Sequence, residues 1–329
     1  DAAFFNNRLS GSFDFFRRIR SGIPATRDDS LLPQEVGFER PRENLGSNVH
    51  MGYDFLIRWS DKVRDFTYSV AGNMTYSRFY NWEQYKPKYS NSWDEYRNSK
   101  WHRFGDINWA YEADGQFQSW EEIVNWPIDN DQKGNTTLRP GDIKYVDQNG
   151  DGVINAMDQR PIGYKEGSTP VLNFGLNVSC AWKGFDLTIF GSGSHGNDVF
   201  AGYNRTSRMK ANTLKEFYDG RWTTAGDNAK YARSNPSNYD KYLKSSKFVF
   251  DGSYFKIKQI QLGYNLPKNL LKQIGLSNLR LYCSLDDFFT FTKYPGFDPE
   301  FTSTGSAMGL DMGSYPSSKK VVFGLNVAF

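Results

Sequence analysis

Between Asn48 and Trp59 the side chains sort by parity. Val49, Met51, Tyr53, Phe55, Ile57 and Trp59 stand against Asn48, His50, Gly52, Asp54, Leu56 and Arg58, and only Leu56 breaks the polar set. Successive side chains of a strand point to opposite faces, so this alternation predicts a strand with one apolar and one polar side. Phe66, Tyr68, Val70, Gly72, Met74 and Tyr76 repeat the pattern on the return. It recurs from Leu172 to Trp182, from Phe185 to Ile189, at Ile260 to Leu266, at Leu279 to Leu285, and in the last segment, where Val321, Phe323, Leu325, Val327 and Phe329 share a face. Upstream, Leu9 to Ile19 carries Phe13 and Phe15. About eight strands follow from the pattern.

The connections between these segments alternate too. Asn6-Asn7, Ser60 to Val63, Lys183-Gly184 and Pro267 to Ser277 are short, whereas the stretches near 20–47, 81–169, 195–251 and 290–317 are long. Outer-membrane barrels place short turns in the periplasm and long loops outside, so the layout predicts an all-β chain, part of a transmembrane antiparallel β-barrel, with a periplasmic C-terminus and extracellular long loops. Trp59, Tyr76, Tyr80, Trp182 and Phe329 at strand ends suit an aromatic girdle. A soluble β-sandwich or propeller also alternates, but its apolar face meets a second sheet and loops as long as 81–169 are uncommon in it. Phe255 and Ile257 are out of phase with Ile260 and Leu262, so either a bulge intervenes near Lys258 and Gln259, the favoured reading, or those two residues point into the barrel.

Composition changes the picture little. Mean hydropathy is −0.67 and no run approaches the roughly 18 apolar residues of a membrane helix, which excludes helical spans but not barrels, where only alternate side chains meet lipid. The net charge of +3 comes from scattered lysines and arginines, without the basic face of a nucleic-acid binder. Cys180 and Cys283 fall three strands apart; at ~4.8 Å per strand they exceed the reach of a disulfide, under ~7 Å between Cα atoms, and are expected as free thiols. His50, His102 and His195 are isolated and form no zinc or Ser/His/Asp arrangement. Neighbouring acids such as Glu121 and Glu122, or Asp286 and Asp287, make poor acid/base pairs, because on a strand such neighbours point apart. No enzyme is read from the chain. It opens Asp1-Ala-Ala-Phe-Phe without a signal peptide, as a mature C-terminal portion would.

One stretch carries cation chemistry. Asp147, Asn149, Asp151, Asn155 and Asp158 place oxygen donors at positions 1, 3, 5, 9 and 12 of an EF-hand-type loop, with Gly152 at the sharp turn and the Val153 carbonyl at position 7. Such an oxygen set points to Ca2+ as a structural brace of an extracellular loop. Asp158 replaces the usual bidentate Glu, as in dockerin-like loops. Trp82, Trp93, Trp101, Trp109, Trp120, Trp126 and Trp222 fall in the long loops, where loop-core or interface packing is favoured over ligand contact.

The chain resembles the SusC/RagA family of TonB-dependent outer-membrane transporters over nearly its whole length. The resemblance rests on Phe5-Asn-Asn-Arg-Leu-Ser-Gly-Ser-Phe-Asp, Asp114-Gly-Gln-Phe-Gln-Ser, Pro140-Gly-Asp-Ile-Lys-Tyr with the Asp147 loop, Tyr254 to Tyr264, Tyr294-Pro-Gly-Phe-Asp-Pro-Glu300 and the last ten residues. It implies a C-terminal fragment of a 22-stranded barrel without the N-terminal plug. It also implies TonB-dependent uptake of oligosaccharides or peptides across the outer membrane of a Gram-negative cell. The implied partners are outer-membrane lipid, a SusD-like surface lipoprotein and TonB, the last through the missing N-terminal part, with a dimer of the transporter–lipoprotein pair open to it. A calcium-braced surface adhesin or glycan-binding β-protein is the alternative from another class.

Overall fold

The computed structural model describes residues 1–26, 35, 37–38, 41–83, 85, 87–201, 215–273, 275–300 and 309–329. Its frame is one sheet in which Ala2–Phe4, Leu9–Thr26, Arg42–Val63, Phe66–Glu83, Leu172–Trp182, Phe185–His195, Tyr254–Asn265, Asn278–Thr292 and Lys320–Ala328 lie side by side in chain order. Every neighbouring pair is antiparallel. All eight alternating segments are therefore strands of one wall, and the described strands leave both outer edges unpaired.

The apolar face of the wall is bare. Phe13, Phe66, Leu176, Leu262 and Leu325 are between 39% and 63% exposed, and Tyr68 and Val178 are half-buried. No second sheet covers them, so the sandwich arrangement is excluded among the described residues. The bulge falls where the phase break put it. Ile257 pairs Gly191 and Phe289, while Gln259 pairs Phe190 and Asp286, leaving Lys258 without an opposite residue. That extra residue returns Phe255 to the apolar face, where its ring stacks 6.0 Å from Phe174 and 6.3 Å from Phe291.

Two local expectations differ. Ser60 to Val63 is not a turn: Ser60 pairs Ser69 and Asp61 pairs Tyr68, and the chain reverses only after Val63, at Arg64 with φ 57°. Polar residues looked like a turn because they sit beyond the apolar belt, yet the Ser60 and Ser69 hydroxyls bond across the ladder at 2.9 Å. The strands also run on into the stretch near 20–47, to Thr26 opposite Arg42. A strand of 18 residues such as Leu9–Thr26 spans about 60 Å, roughly twice a bilayer's hydrocarbon core, so these strands project well past a membrane. The remainder of that stretch lies largely outside the described residues, as do 202–214 and 301–308 of the later long connections.

The true core lies elsewhere. Tyr111, Tyr145, Val199, Phe217, Phe248 and Tyr294 belong to one buried cluster, and they come from three different long connections. Those connections leave the same end of the wall and fold into a second layer. Ile107–Tyr111 pairs Gln159–Tyr164, Ala113–Gln116 pairs Ile143–Tyr145, and the short helices Ser92–Asn98 and Trp120–Asn125 are capped by Asn91 and Ser119. The layer is tied to the wall by Arg78, whose guanidinium donates to both carboxylate oxygens of Asp106 at 2.7 and 2.8 Å and lies over the Phe104 ring.

Candidate functional site

The oxygen-rich turn from Asp147 to Asp158 sits in this second layer. Asp147 Oδ1 accepts the Gly150 N–H and Oδ2 the Gly152 N–H, both at 2.8 Å. Gly150 and Gly152 adopt φ of 76° and 78°, a left-handed conformation that a Cβ would oppose. Asn149 Oδ1 accepts the Asp151 N–H, Asp151 Oδ1 the Val153 N–H, and Asn155 Oδ1 the Met157 N–H. The Asn149 and Asn155 amides both donate to Asp151 Oδ2, which with the Val153 N–H holds the Asp151 carboxyl below its ordinary range. Ile154 is fully buried beneath the turn.

Asp158 closes the turn differently from its neighbours. It is fully buried, and its two oxygens accept the Gln148 and Asn155 N–H groups at 2.9 and 2.7 Å, the second as half of a capping box. Two accepted bonds leave lone pairs on both oxygens. Among the described residues no three His, Cys, Asp or Glu side chains converge as a metal group. Asn149, Asn155 and the Val153 carbonyl are therefore needed to complete a donor set. That set is oxygen throughout, which suits a hard cation.

A second loop, which the spacing of the sequence did not reveal, braces the first. Asp129 exchanges backbone bonds with it, its N–H to the Gly152 carbonyl at 2.8 Å and its carbonyl from the Ile154 N–H at 2.9 Å. Within the second loop Asp131 accepts the N–H groups of Lys133, Asn135 and Thr137 and the Thr137 hydroxyl. Burial pushes this carboxyl up, but the Thr137, Lys133 and Asn135 donors outweigh it and hold it at about 2. Lys241 enters between the loops and donates to the carbonyls of Asn130 at 2.6 Å and Ile154 at 3.0 Å. Its burial lowers its pKa, against the pull of Asp158, Asp129 and Asp131. A contact spanning 87 residues has no local signature.

The polar face of the wall carries a second cluster. The bulge at Lys258 turns Lys256 inward, where it is 1% exposed. Its ammonium donates to both Asp298 oxygens at 3.1 Å and to Ser317 Oγ at 2.7 Å, and stands 3.1 Å from Glu300. Lys258 pairs with Glu300 and lies 3.5 Å from Asp287. The Tyr294-to-Glu300 segment is thereby pinned across the wall. Cys180 and Cys283 are free thiols, as their strand separation requires.

No protein-family model matches the chain. Curated relatives align with all of it: TonB-dependent receptor P3 of Formosa agariphila is 31% identical over 346 residues. The TonB-dependent receptor SusC of Bacteroides thetaiotaomicron is 25% identical over 347 residues. Over its whole length the chain is similar to a segment of TonB-dependent receptors, SusC among them. It spans about a third of the length of the curated relatives it matches, 33% of P3 and 31% of SusC. Among solved structures, the RagAB peptide importer in its open-open state superposes with a TM-score of 0.70 at 22% identity, over 99% of this chain and 33% of that one. At that identity the likeness establishes the fold, a segment of a TonB-dependent transporter barrel. The relatives are receptors and transporters, not enzymes.

Proposed function

We propose that this chain is wall and outer loop layer of an outer-membrane importer that takes up oligosaccharides or peptides at the expense of TonB, together with a SusD-like surface lipoprotein. The observation that carries the reading is the bare apolar face of a continuous antiparallel wall, on which Leu176, Leu262, Phe323 and Leu325 stay exposed. An adhesin exported to the cell surface would have to cover that face with protein. The opposite face is polar, with Asp186 paired to Arg280 at 2.5 Å, and suits a water-filled or plugged lumen. With the short turns in the periplasm, the layer built by the long connections faces the medium and the lid lipoprotein. The Asp147–Asp158 turn holds Ca2+ there as a brace, through Asp147, Asn149, Asp151, the Val153 carbonyl, Asn155 and Asp158.

Spin-label accessibility of the full-length receptor in lipid vesicles tests this. With Cys180 and Cys283 replaced, nitroxides at Leu176 and Leu325 should meet dissolved oxygen more than a water-soluble nickel chelate. Labels at Asn177 and Asn326 should show the reverse. Equal chelate access at Leu176 and Asn177 removes the lipid-facing assignment and the importer with it.

A further inference from the structure

Within the loop layer a chamber of about 300 Å³ opens between the end of the Phe66–Glu83 strand, the Ser92–Asn98 helix and the Ile107–Tyr111 strand. Its charged lining is Arg97, Lys100, Arg103 and Lys165, and among the described residues no carboxylate shares it. Through Arg97, Asn108, Trp109 and Lys165 it adjoins a larger cleft of about 570 Å³, where Glu166 and Asp240 first bring the opposite charge. Together they offer a ligand-sized, elongated space.

The two arginines are held without an acid. Arg97 lies over the Trp109 ring, 4.7 Å from its centroid, and reaches a neutral partner, Gln159 Oε1, only at 3.5 Å. Arg103 donates to the Tyr96 carbonyl at 2.6 Å and lies 5.8 Å from the centroids of both Tyr96 and Trp109. Tyr96 meets Trp109 edge-on at 5.1 Å, so one aromatic pair props both guanidinium groups. Burial, and then Arg103 itself, push the Arg97 pKa down. Converging like charges in a half-buried place is costly. By contrast, Arg78 at the seam is neutralised by Asp106 and Arg233 within the layer by Asp142. Here each guanidinium has one neutral partner, which leaves further N–H groups for an anion with two oxygens in a plane.

We infer that this chamber seats the carboxylate of an acidic sugar, a hexuronate unit of an oligosaccharide cargo. The inference rests on the importer reading and names its cargo class. The remaining polar lining, Asn81, Asn98, Ser99 and Asn108, presents amide and hydroxyl groups that match ring hydroxyls. A glutamate side chain would bring the carboxylate on a two-carbon stem without hydroxyls, leaving these amide and hydroxyl groups unmatched.

Calorimetric titration of the full-length receptor in detergent tests it, with a galacturonate tetramer, a neutral galactose tetramer and a glutamate tetrapeptide as probes. The galacturonate oligomer should bind about tenfold or more tightly than the neutral one, weakening with salt. Arg97→Gln/Arg103→Gln should lose about tenfold of that affinity, and Lys165→Gln on the exposed rim about threefold. Lys165→Gln keeps the test valid if the double variant fails to fold, and Lys62→Gln at the far end of the wall should change nothing. Equal binding of the neutral oligomer, or unchanged affinity in the chamber variants, overturns the inference. Preference for the glutamate peptide overturns the sugar assignment. Retained galacturonate binding by a receptor that imports nothing supports the chamber's ligand while counting against the importer.

Discussion

Replacing Lys256 by Met keeps the aliphatic stem and removes the cation, leaving Asp298 buried at 7% exposure with its charge unmatched. Breaking one side of a buried ion pair costs roughly 3–5 kcal/mol. Here the lower figure applies, because Glu300 and Lys258 are 31% and 25% exposed and water can enter beside them. About 3 kcal/mol corresponds to about a hundredfold in an opening equilibrium. The loss should be local. Hydrogen exchange of the amides near Glu300 and Ser317, whose N–H groups donate to Asp298, should speed up by that factor, while the strand ladders keep their protection. In a cycle with Asp298→Asn, the double variant should recover about 2 kcal/mol of coupling. A coupling under about 0.5 kcal/mol would mean that the ammonium and carboxylate are solvated independently, and the pinning of this segment would have to be abandoned.

Acid should undo the same latch. Burial pushes the Asp298 carboxyl up, but the Ser317 hydroxyl and N–H, the Glu300 N–H and the Lys256 ammonium outweigh it and hold it at about 2. An acid depressed in the folded state stabilises it above its unfolded value, near 3.9, and that contribution disappears as pH falls through about 2. Amide protection of the segment should therefore be flat from neutrality down to about pH 4 and decline below it. In the Lys256→Met variant, which loses one of the groups that hold this carboxyl down, the decline should still begin near pH 4 but be smaller.

Asp198 should behave in the opposite sense: burial, with Asp251 nearby, pushes it up to about 6 against the Tyr164 N–H it accepts. Stability of the layer should thus fall as pH rises from about 4 to about 6, and Asp198→Asn should stabilise it by about 1–2 kcal/mol at pH 8 with no gain at pH 4, read by thermal unfolding. Gly324→Val should cost about 1–3 kcal/mol in urea unfolding, since a Cβ there would come within 2.0 Å of the Tyr282 ring that lies across it; a neutral result would mean the ring is free to move. Tb3+ added to the full-length receptor should luminesce on indole excitation, because Trp93 Nε1 donates to the Met157 carbonyl at 3.0 Å beside the oxygen-rich turn; excess Ca2+ or Asp147→Ala should abolish the signal, and a signal indifferent to both would remove the calcium brace.

What the sequence disclosed follows how far each constraint reaches along the chain. Alternation is a nearest-neighbour property, so the strands from Val49 to Trp59 or from Leu172 to Trp182, and even the bulge at Lys258, could be located without coordinates. Beyond the apolar belt alternation no longer has to hold. Ile23 and Pro24 sit at register shifts, and Ser60 and Asp61 pair as strand while reading as a turn. The loop layer was opaque for another reason: its cluster joins Tyr111, Phe217 and Tyr294, which no periodicity connects. The turn at Asp147 was visible because its donors are set within twelve positions, whereas its support from Asp131 and Lys241 was not. The tryptophans divide accordingly, with Trp126 packed on Phe117 and Trp222 bonded to Gln118, while Trp101 and Trp120 stay 58% and 60% exposed.

The two layers obey opposite solvation rules, and the residues between them must satisfy both. In the wall the ladder accounts for the backbone bonds and the apolar side chains face outward, so little stability there depends on a packed interior. In the loop layer short elements such as Ala113–Gln116 cannot stand alone, and burial of Phe217, Phe248 and Tyr231 has to hold them. Charged groups collect at the seam because neither rule excludes them: Arg78 with Asp106 at one strand end and Lys256 with Asp298 at another. Each pair is long in sequence, short in space and shielded from water. The same seam also carries backbone pairing, Tyr80 with Phe104 and Asn81 with Arg103, so a change in the loop layer meets the wall there through ion pairs and ladder together.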